Sequence, residues 1–192
     1  MKAIEKVFDM FNSLVPIPEE EELKFKKIFY NEKAVKDEIL WRAGDNIDTF
    51  SFIDKGLVKL FFIDLEGKEH VKSFRVSGQL STDYRALISK KSSLSYCQAL
   101  TECEFISAKY ADFEELMESH FCWQKIARII TQKEFLLKEE RESQFLTMTV
   151  QERYFTFKEE FRAVYELIPQ YLIASYLGIA PQSLSRIIAK KK

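Results

Sequence analysis

The sequence predicts an α+β fold in three parts: an all-β unit preceded by short helices, a long helix, and a helical hairpin at the carboxyl end. Three observations carry this. Runs rich in Phe, Val, Ile and Tyr are punctuated by Gly44, Gly56, Gly67 and Gly78 at intervals of eleven or twelve residues, the spacing of short strands joined by tight turns. From Asp112 to about Phe145 there is neither Gly nor Pro, and Trp123, Ile126, Ile130 and Leu137 recur at helical spacing. Finally, Ala174, Gly178 and Pro181 divide the closing stretch "IASYLGIAPQSLSRIIAKKK" into two short helices.

Composition sets outer limits on this reading. A chain of 192 residues, 46% hydrophobic, holds one large core or two small ones. Seventeen Phe and eight Tyr supply bulky core material, and five Gly with four Pro leave little irregular or low-complexity chain. Cys97, Cys103 and Cys122 are odd in number and widely spaced, which fits neither a disulfide framework nor a paired-thiolate metal site and implies a reducing cytoplasm. The amino-terminal stretch breaks its apolar residues with charge and has no continuous signal core, and no run is long and apolar enough to span a membrane. Secretion and membrane insertion are not expected. The formal net charge of -1 hides an uneven distribution: from Leu167 onward the charged residues are Arg186, Lys190, Lys191 and Lys192 alone.

Taken in order, Ile4, Phe8, Phe11 and Leu14 mark a first helix, and "PIPEEEELKFKKIF" restarts one with acids in its first turn, where the helix dipole favours them. Glu19 to Glu22 read as a solvated first turn. In "FFIDLEGKEHVKSF" two strand-like runs flank a polar connection in which Gly67 supplies a positive φ, as a hairpin requires. The long helix carries Ile129 and Leu136 beside its main seam. Two arrangements are open: the helix packs on the β unit throughout, or it forms a two-helix seam with a second copy, since about 30 helical residues span ~45 Å and overhang a domain of ~100 residues. Thr149 followed by Glu152 is a capping box that opens a further helix, which Pro169 ends or resets.

The last twenty-five residues carry the most chemistry. A helix-turn-helix needs a small residue where its helices cross, a residue tolerant of positive φ at the turn, and apolar anchors on its second helix. Ala174, Gly178, Leu184 and Ile187 meet these needs, with Leu177 and Ile179 filling the angle. The second helix then presents Gln182, Ser183, Ser185, Arg186 and Lys190. Arg donates two hydrogen bonds to a guanine edge, Gln pairs with adenine, and serine hydroxyls serve bases or phosphates. Lys190 to Lys192 add phosphate contacts or form a solvated end. The competing reading of the hairpin is simple packing with a solubilising tail.

On these residues the chain resembles Crp/Fnr-type transcription regulators. "IASYLGIAPQSLSRI" resembles their helix-turn-helix signature, and "FIDKGLVKLFFIDLEGKE" resembles their cyclic-nucleotide-binding-type β-roll, a jelly roll. The resemblance implies an effector-type β-roll with amino-terminal helices over 1–111, a dimerisation helix over 112–146 and a DNA-binding domain over 147–192. It implies double-stranded DNA, a second copy of the chain, RNA polymerase and a small-molecule effector as partners. By that resemblance Gln182, Ser185 and Arg186 read bases and Ser183 holds phosphate.

Departures from the family pattern shape further expectations. The resemblance places an effector at Gly78, Gln79, Leu80, Ser93 and Ser95, yet Gln79 stands where nucleotide-binding members carry glutamate and Ser93 where they carry arginine. A buried phosphate without a paired cation is costly, so cyclic nucleotide binding in the usual manner is not expected. Arg75, Arg85 and Lys90 read as surface charges. Members with an iron–sulfur cluster need several thiolates, usually near the amino terminus; the first cysteine here is Cys97, so no such cluster is expected. The sequence also ends before the β-hairpin wing that many members carry. His70 and His120, the only histidines, lie in no nucleophile or metal-ligand arrangement, so no catalytic or metal residue is assigned and an enzyme is not expected. The alternative function is a ligand-sensing or partner-binding module that keeps this fold without specific DNA binding.

Overall fold

The computed structural model describes residues 2–189. Helices α1 (Lys2–Leu14) and α2 (Glu19–Ile28) lead into strands β1 (Tyr30–Ala34), β2 (Ile39–Trp41), β3 (Thr49–Lys55), β4 (Leu57–Ile63), β5 (Glu69–Val76) and β6 (Leu80–Ser81). Then come α3 (Tyr84–Ser89), β7 (Tyr96–Ala99), β8 (Cys103–Lys109), α4 (Tyr110–Ser119), α5 (Phe121–Thr147), α6 (Val150–Glu160), a 3-10 turn at Tyr165–Leu167, α7 (Gln170–Leu177) and α8 (Pro181–Ala189). The strands form two antiparallel four-stranded sheets, ordered β1-β8-β3-β6 and β2-β7-β4-β5. This is the expected α+β architecture with a jelly-roll-like unit.

Alternation along the strands sorts residues into three layers, because successive side chains of a strand point to opposite faces. Ile53, Val58, Leu60, Cys97, Ala99 and Phe105 fill the space between the sheets. Phe50, Phe52, Ile106 and Ala108 face the other side of the first sheet, where Phe11, Phe25, Phe113 and Trp123 cover them. Leu57, Val71 and Phe74 project from the second sheet into a core shared with Tyr154, Phe157, Phe161, Tyr176 and Leu184. The carboxyl-terminal helices therefore do not hang free; they are seated on the roll. The β4–β5 hairpin turns where expected, with Gly67 at φ 81° and its N–H donating to Asp64 O. Gly56, between β3 and β4, has φ 111°, and a Cβ there would lie 2.5 Å from Cys103 Sγ, so only glycine fits.

Some sequence expectations need correction, among them the end of the helix opened at Thr149, which stops at Glu160 and not at Pro169. The helix predicted as continuous from Asp112 is two helices, α4 and α5, broken at His120, whose φ of -155° and ψ of 140° are extended. His120 Nδ1 accepts from Cys122 N at 3.2 Å, so its imidazole does the work of a capping side chain, a role that composition does not reveal. The acidic run at α2 is not wholly solvated either. Glu21 is 2% exposed and accepts from Trp123 Nε1 (2.7 Å), Ser119 Oγ (3.2 Å) and Lys24 Nζ (2.6 Å). A buried carboxylate is stable only when so paired, and here it ties α2 to α5.

Packing on the chain's own core, one of the two arrangements left open for the long helix, holds at the start of α5 but not along its whole length. Trp123 and Ile126 are fully buried in the chain's own core, with Ile130 packed beside them. Farther along, Phe135, Leu136, Leu137 and Leu146 are exposed. The capping box at Thr149 forms as predicted: Thr149 Oγ1 accepts from Glu152 N, and Glu152 Oε2 accepts from Thr149 N.

Candidate nucleic-acid interface

The carboxyl-terminal hairpin is built as its residues require. α7 ends on Gly178, whose φ of 71° puts it in the left-handed region, and its N–H is bonded to the last turn. A Cβ at this glycine would also stand 3.1 Å from Phe145 Cε1. Pro181 opens α8 at the position where a missing N–H is harmless. Ala174, fully buried, lets the helices approach, and Leu184, also fully buried, pins α8 to α7. Ile187 and Ile188 pack against the same core.

With that face anchored, Gln182, Ser183, Ser185 and Arg186 are all exposed on the other. Arg186 pairs with no carboxylate among the described residues, so its guanidinium is available to an outside acceptor. Ser185 Oγ donates to Pro181 O at 3.1 Å, which leaves its lone pairs as acceptors facing outward. Lys190, the fifth residue assigned to this face, lies outside the described residues, as do Lys191 and Lys192.

Sequence reasoning missed what positions this hairpin. Ser175, on α7, bridges to β5: its Oγ accepts from Val71 N and donates to Glu69 O, each at 3.0 Å. Because β5 is an edge strand, these backbone groups have no neighbouring strand to bond. Two arginines secure the other end of α7. Arg141 Nη2 donates to Tyr176 O at 2.8 Å with its guanidinium 3.6 Å above the Tyr176 ring, and Arg153 Nη2 donates to Leu177 O at 3.3 Å. Cations at a helix carboxyl end satisfy free carbonyls and oppose the negative end of its dipole. Arg153 also reaches Met148 O at 3.0 Å, linking the end of α5 to the hairpin. The only sequence signal for these roles was two arginines flanking the start of α6.

Of the five residues assigned to an effector, Ser93 and Ser95 meet at Asp83, while Gly78, Gln79 and Leu80 have other partners. Ser93 and Ser95, fully buried, donate to Asp83 Oδ2 at 2.7 and 2.9 Å, and Asp83 Oδ1 accepts from Ala86 N at 3.3 Å. Gln79 Oε1 accepts from Val76 N at 3.1 Å, and Gly78 N donates to Ile53 O; Leu80 faces the helical layer. Burial works against the charge of Asp83, but the Ser93 and Ser95 hydroxyls, the Ala86 N–H and the Lys72 ammonium outweigh it, and the carboxyl sits below its usual range. Arg75, read as a surface charge, is instead largely enclosed in a two-pronged ion pair with Glu134 at 3.3 and 2.7 Å. Arg85 donates to Ser92 O, and Lys90 is exposed.

His70 pairs with Asp64 on the hairpin surface. Cys97, Cys103 and Cys122 are buried and free, and burial pushes all three thiols up, away from the thiolate form a metal needs. Among the described residues no three His, Cys, Asp or Glu side chains converge to hold a metal. None of the described helices is long and apolar enough to cross a membrane.

Residues 32–120 match the family model described as cyclic nucleotide-binding domain. Over nearly its whole length the chain shares the fold of solved Crp/Fnr-type regulators. FixK2 from Bradyrhizobium japonicum is 17% identical with a TM-score of 0.73, over 85% of this chain and 84% of that one. The c-di-GMP responsive global regulator CLP of Xanthomonas campestris is 15% identical with a TM-score of 0.66, over 90% and 91%. A CooA mutant from Carboxydothermus hydrogenoformans is 14% identical with a TM-score of 0.65, over 85% and 76%. Comparison with curated proteins by sequence gives no match.

Proposed function

We propose that the chain is a DNA-binding transcription regulator that acts as a homodimer, with residues 1–111 as an effector-type domain, 112–146 as the helical connection between copies and 147–192 as the DNA-binding domain. The observation that carries this reading is the two-sidedness of α8: Leu184 is fully buried while Gln182, Ser183, Ser185 and Arg186 project outward together. An amphipathic second helix with its polar face free is what major-groove readout requires. Gln182, Ser185 and Arg186 meet base edges, and Ser183 and Lys190 meet phosphates. The exposed Phe135, Leu136, Leu137 and Leu146 supply apolar surface on α5 for a second copy. The reading requires two copies to hold their recognition helices about 34 Å apart, the spacing of half-sites in a near-palindromic sequence.

Selection of bound duplexes from a random pool tests the reading. An enriched near-palindrome supports it, and Arg186→Ala then weakens binding to that sequence by roughly 1–3 kcal/mol and relaxes one base position. A pool that returns no enriched sequence refutes specific readout and favours a module that has kept the fold alone.

A further inference from the structure

The roll belongs by sequence match to a domain type described as binding cyclic nucleotides, yet the hydroxyls around α3 already serve an anion of the chain's own. We propose that Asp83 sets the ligand class of the roll: its carboxylate is the resident anion of the buried hydroxyl cluster between β6 and β7, and it excludes phosphate-bearing ligands.

Three features support this. Asp83 is 3% exposed, so its carboxylate is enclosed by the protein rather than open to solvent. A serine hydroxyl has one proton to donate, and those of Ser93 and Ser95 both lie within bonding distance of the same oxygen, Asp83 Oδ2. An incoming phosphate would find these donors engaged and a negative charge at contact distance, which disfavours a second anion. The Lys72 ammonium acts on Asp83 itself, and Arg75 holds Glu134 with both terminal nitrogens, leaving only its buried Nε without a partner. The donor set of an anion site is present, but its occupant is covalently attached. Such a residue also ties α3 to the segment before β7, so the roll holds in one chain the contacts that an anionic effector would have to make from outside. The inference concerns the roll alone and stands whether or not α8 reads DNA.

The test uses the full chain and inorganic phosphate, with sodium chloride matched for ionic strength. Wild type should show no saturable binding by calorimetry and no stabilisation beyond that of chloride. Asp83→Ser keeps a side chain able to cap α3 but vacates the carboxylate; it should bind phosphate at least about ten-fold tighter than wild type. Asp83→Glu, which keeps the charge, should not. Adding Ser93→Ala and Ser95→Ala to Asp83→Ser should abolish the gain. A folded Asp83→Ser chain, verified by circular dichroism, with no gain in phosphate affinity overturns the proposal. So does saturable phosphate or cyclic AMP binding by wild type that is lost in Ser93→Ala/Ser95→Ala, a result readable even if Asp83→Ser does not fold.

Discussion

Replacing Ser175 with Ala asks how firmly the helix-turn-helix is seated on the roll. The side chain satisfies two groups of edge strand β5, the Val71 N–H and the Glu69 C=O, each at 3.0 Å. Removing it strands both, and an orphaned buried donor or acceptor costs about 1–3 kcal/mol. Ser175 is only partly buried, so water regains some of that loss. Alanine also returns ~0.5 kcal/mol through better helix propensity. The net expectation is destabilisation of about 2 kcal/mol, which for a urea m-value of ~2.5 kcal/mol/M lowers the unfolding midpoint by ~0.8 M. Fluorescence of Trp41 and Trp123 can follow the transition. Tyr171→Ala on the exposed side of the same helix is the control and should shift the midpoint little. A Ser175→Ala midpoint within about 0.2 M of wild type, at unchanged m, would refute the view that this bridge seats the hairpin.

Other outcomes are expected. Leu136→Glu puts a charge on the exposed apolar surface of α5 and should convert a dimer to monomer in sedimentation while leaving far-ultraviolet dichroism unchanged, because the side chain is 64% exposed in the single chain. Acid should destabilise the protein partly through Asp83. Its folded pKa lies below the ordinary carboxylate value, so the unfolded chain takes up its proton first; the stabilisation is complete above about pH 4 and is lost as pH falls through the folded pKa, with a slope of at most ~1.4 kcal/mol per pH unit from this group. Urea midpoints between pH 5 and pH 2.5 should therefore fall less steeply in Asp83→Asn than in wild type; parallel slopes would count against it.

The carboxyl-terminal hairpin was legible because its determinants are local. Gly178 needs positive φ, Pro181 lacks an N–H, and Leu184 lies on the buried side of a short helix; each requirement acts within a few residues. The β-roll was legible for a similar reason, since Gly56 and Gly67 mark turns and the runs between them alternate. The break at His120 escaped notice because periodicity continues across it: Phe113 and Leu116 precede the gap and Trp123 and Ile126 follow it, all feeding one core. Glu21 escaped because an acidic first turn looks the same whether or not a tryptophan 102 residues away bonds to it.

What the sequence determined by itself was the kind and order of the elements, and the polar face of α8, because short-range sterics and the periods of helix and strand act within a few residues. Tertiary structure decided which groups meet across distance: Ser175 with the edge of β5, Arg141 and Arg153 with the end of α7, and Asp83 with Ser93 and Ser95. Those pairings follow from how three layers stack and which buried polar groups must then be satisfied, a condition that arises only once the chain has closed around them.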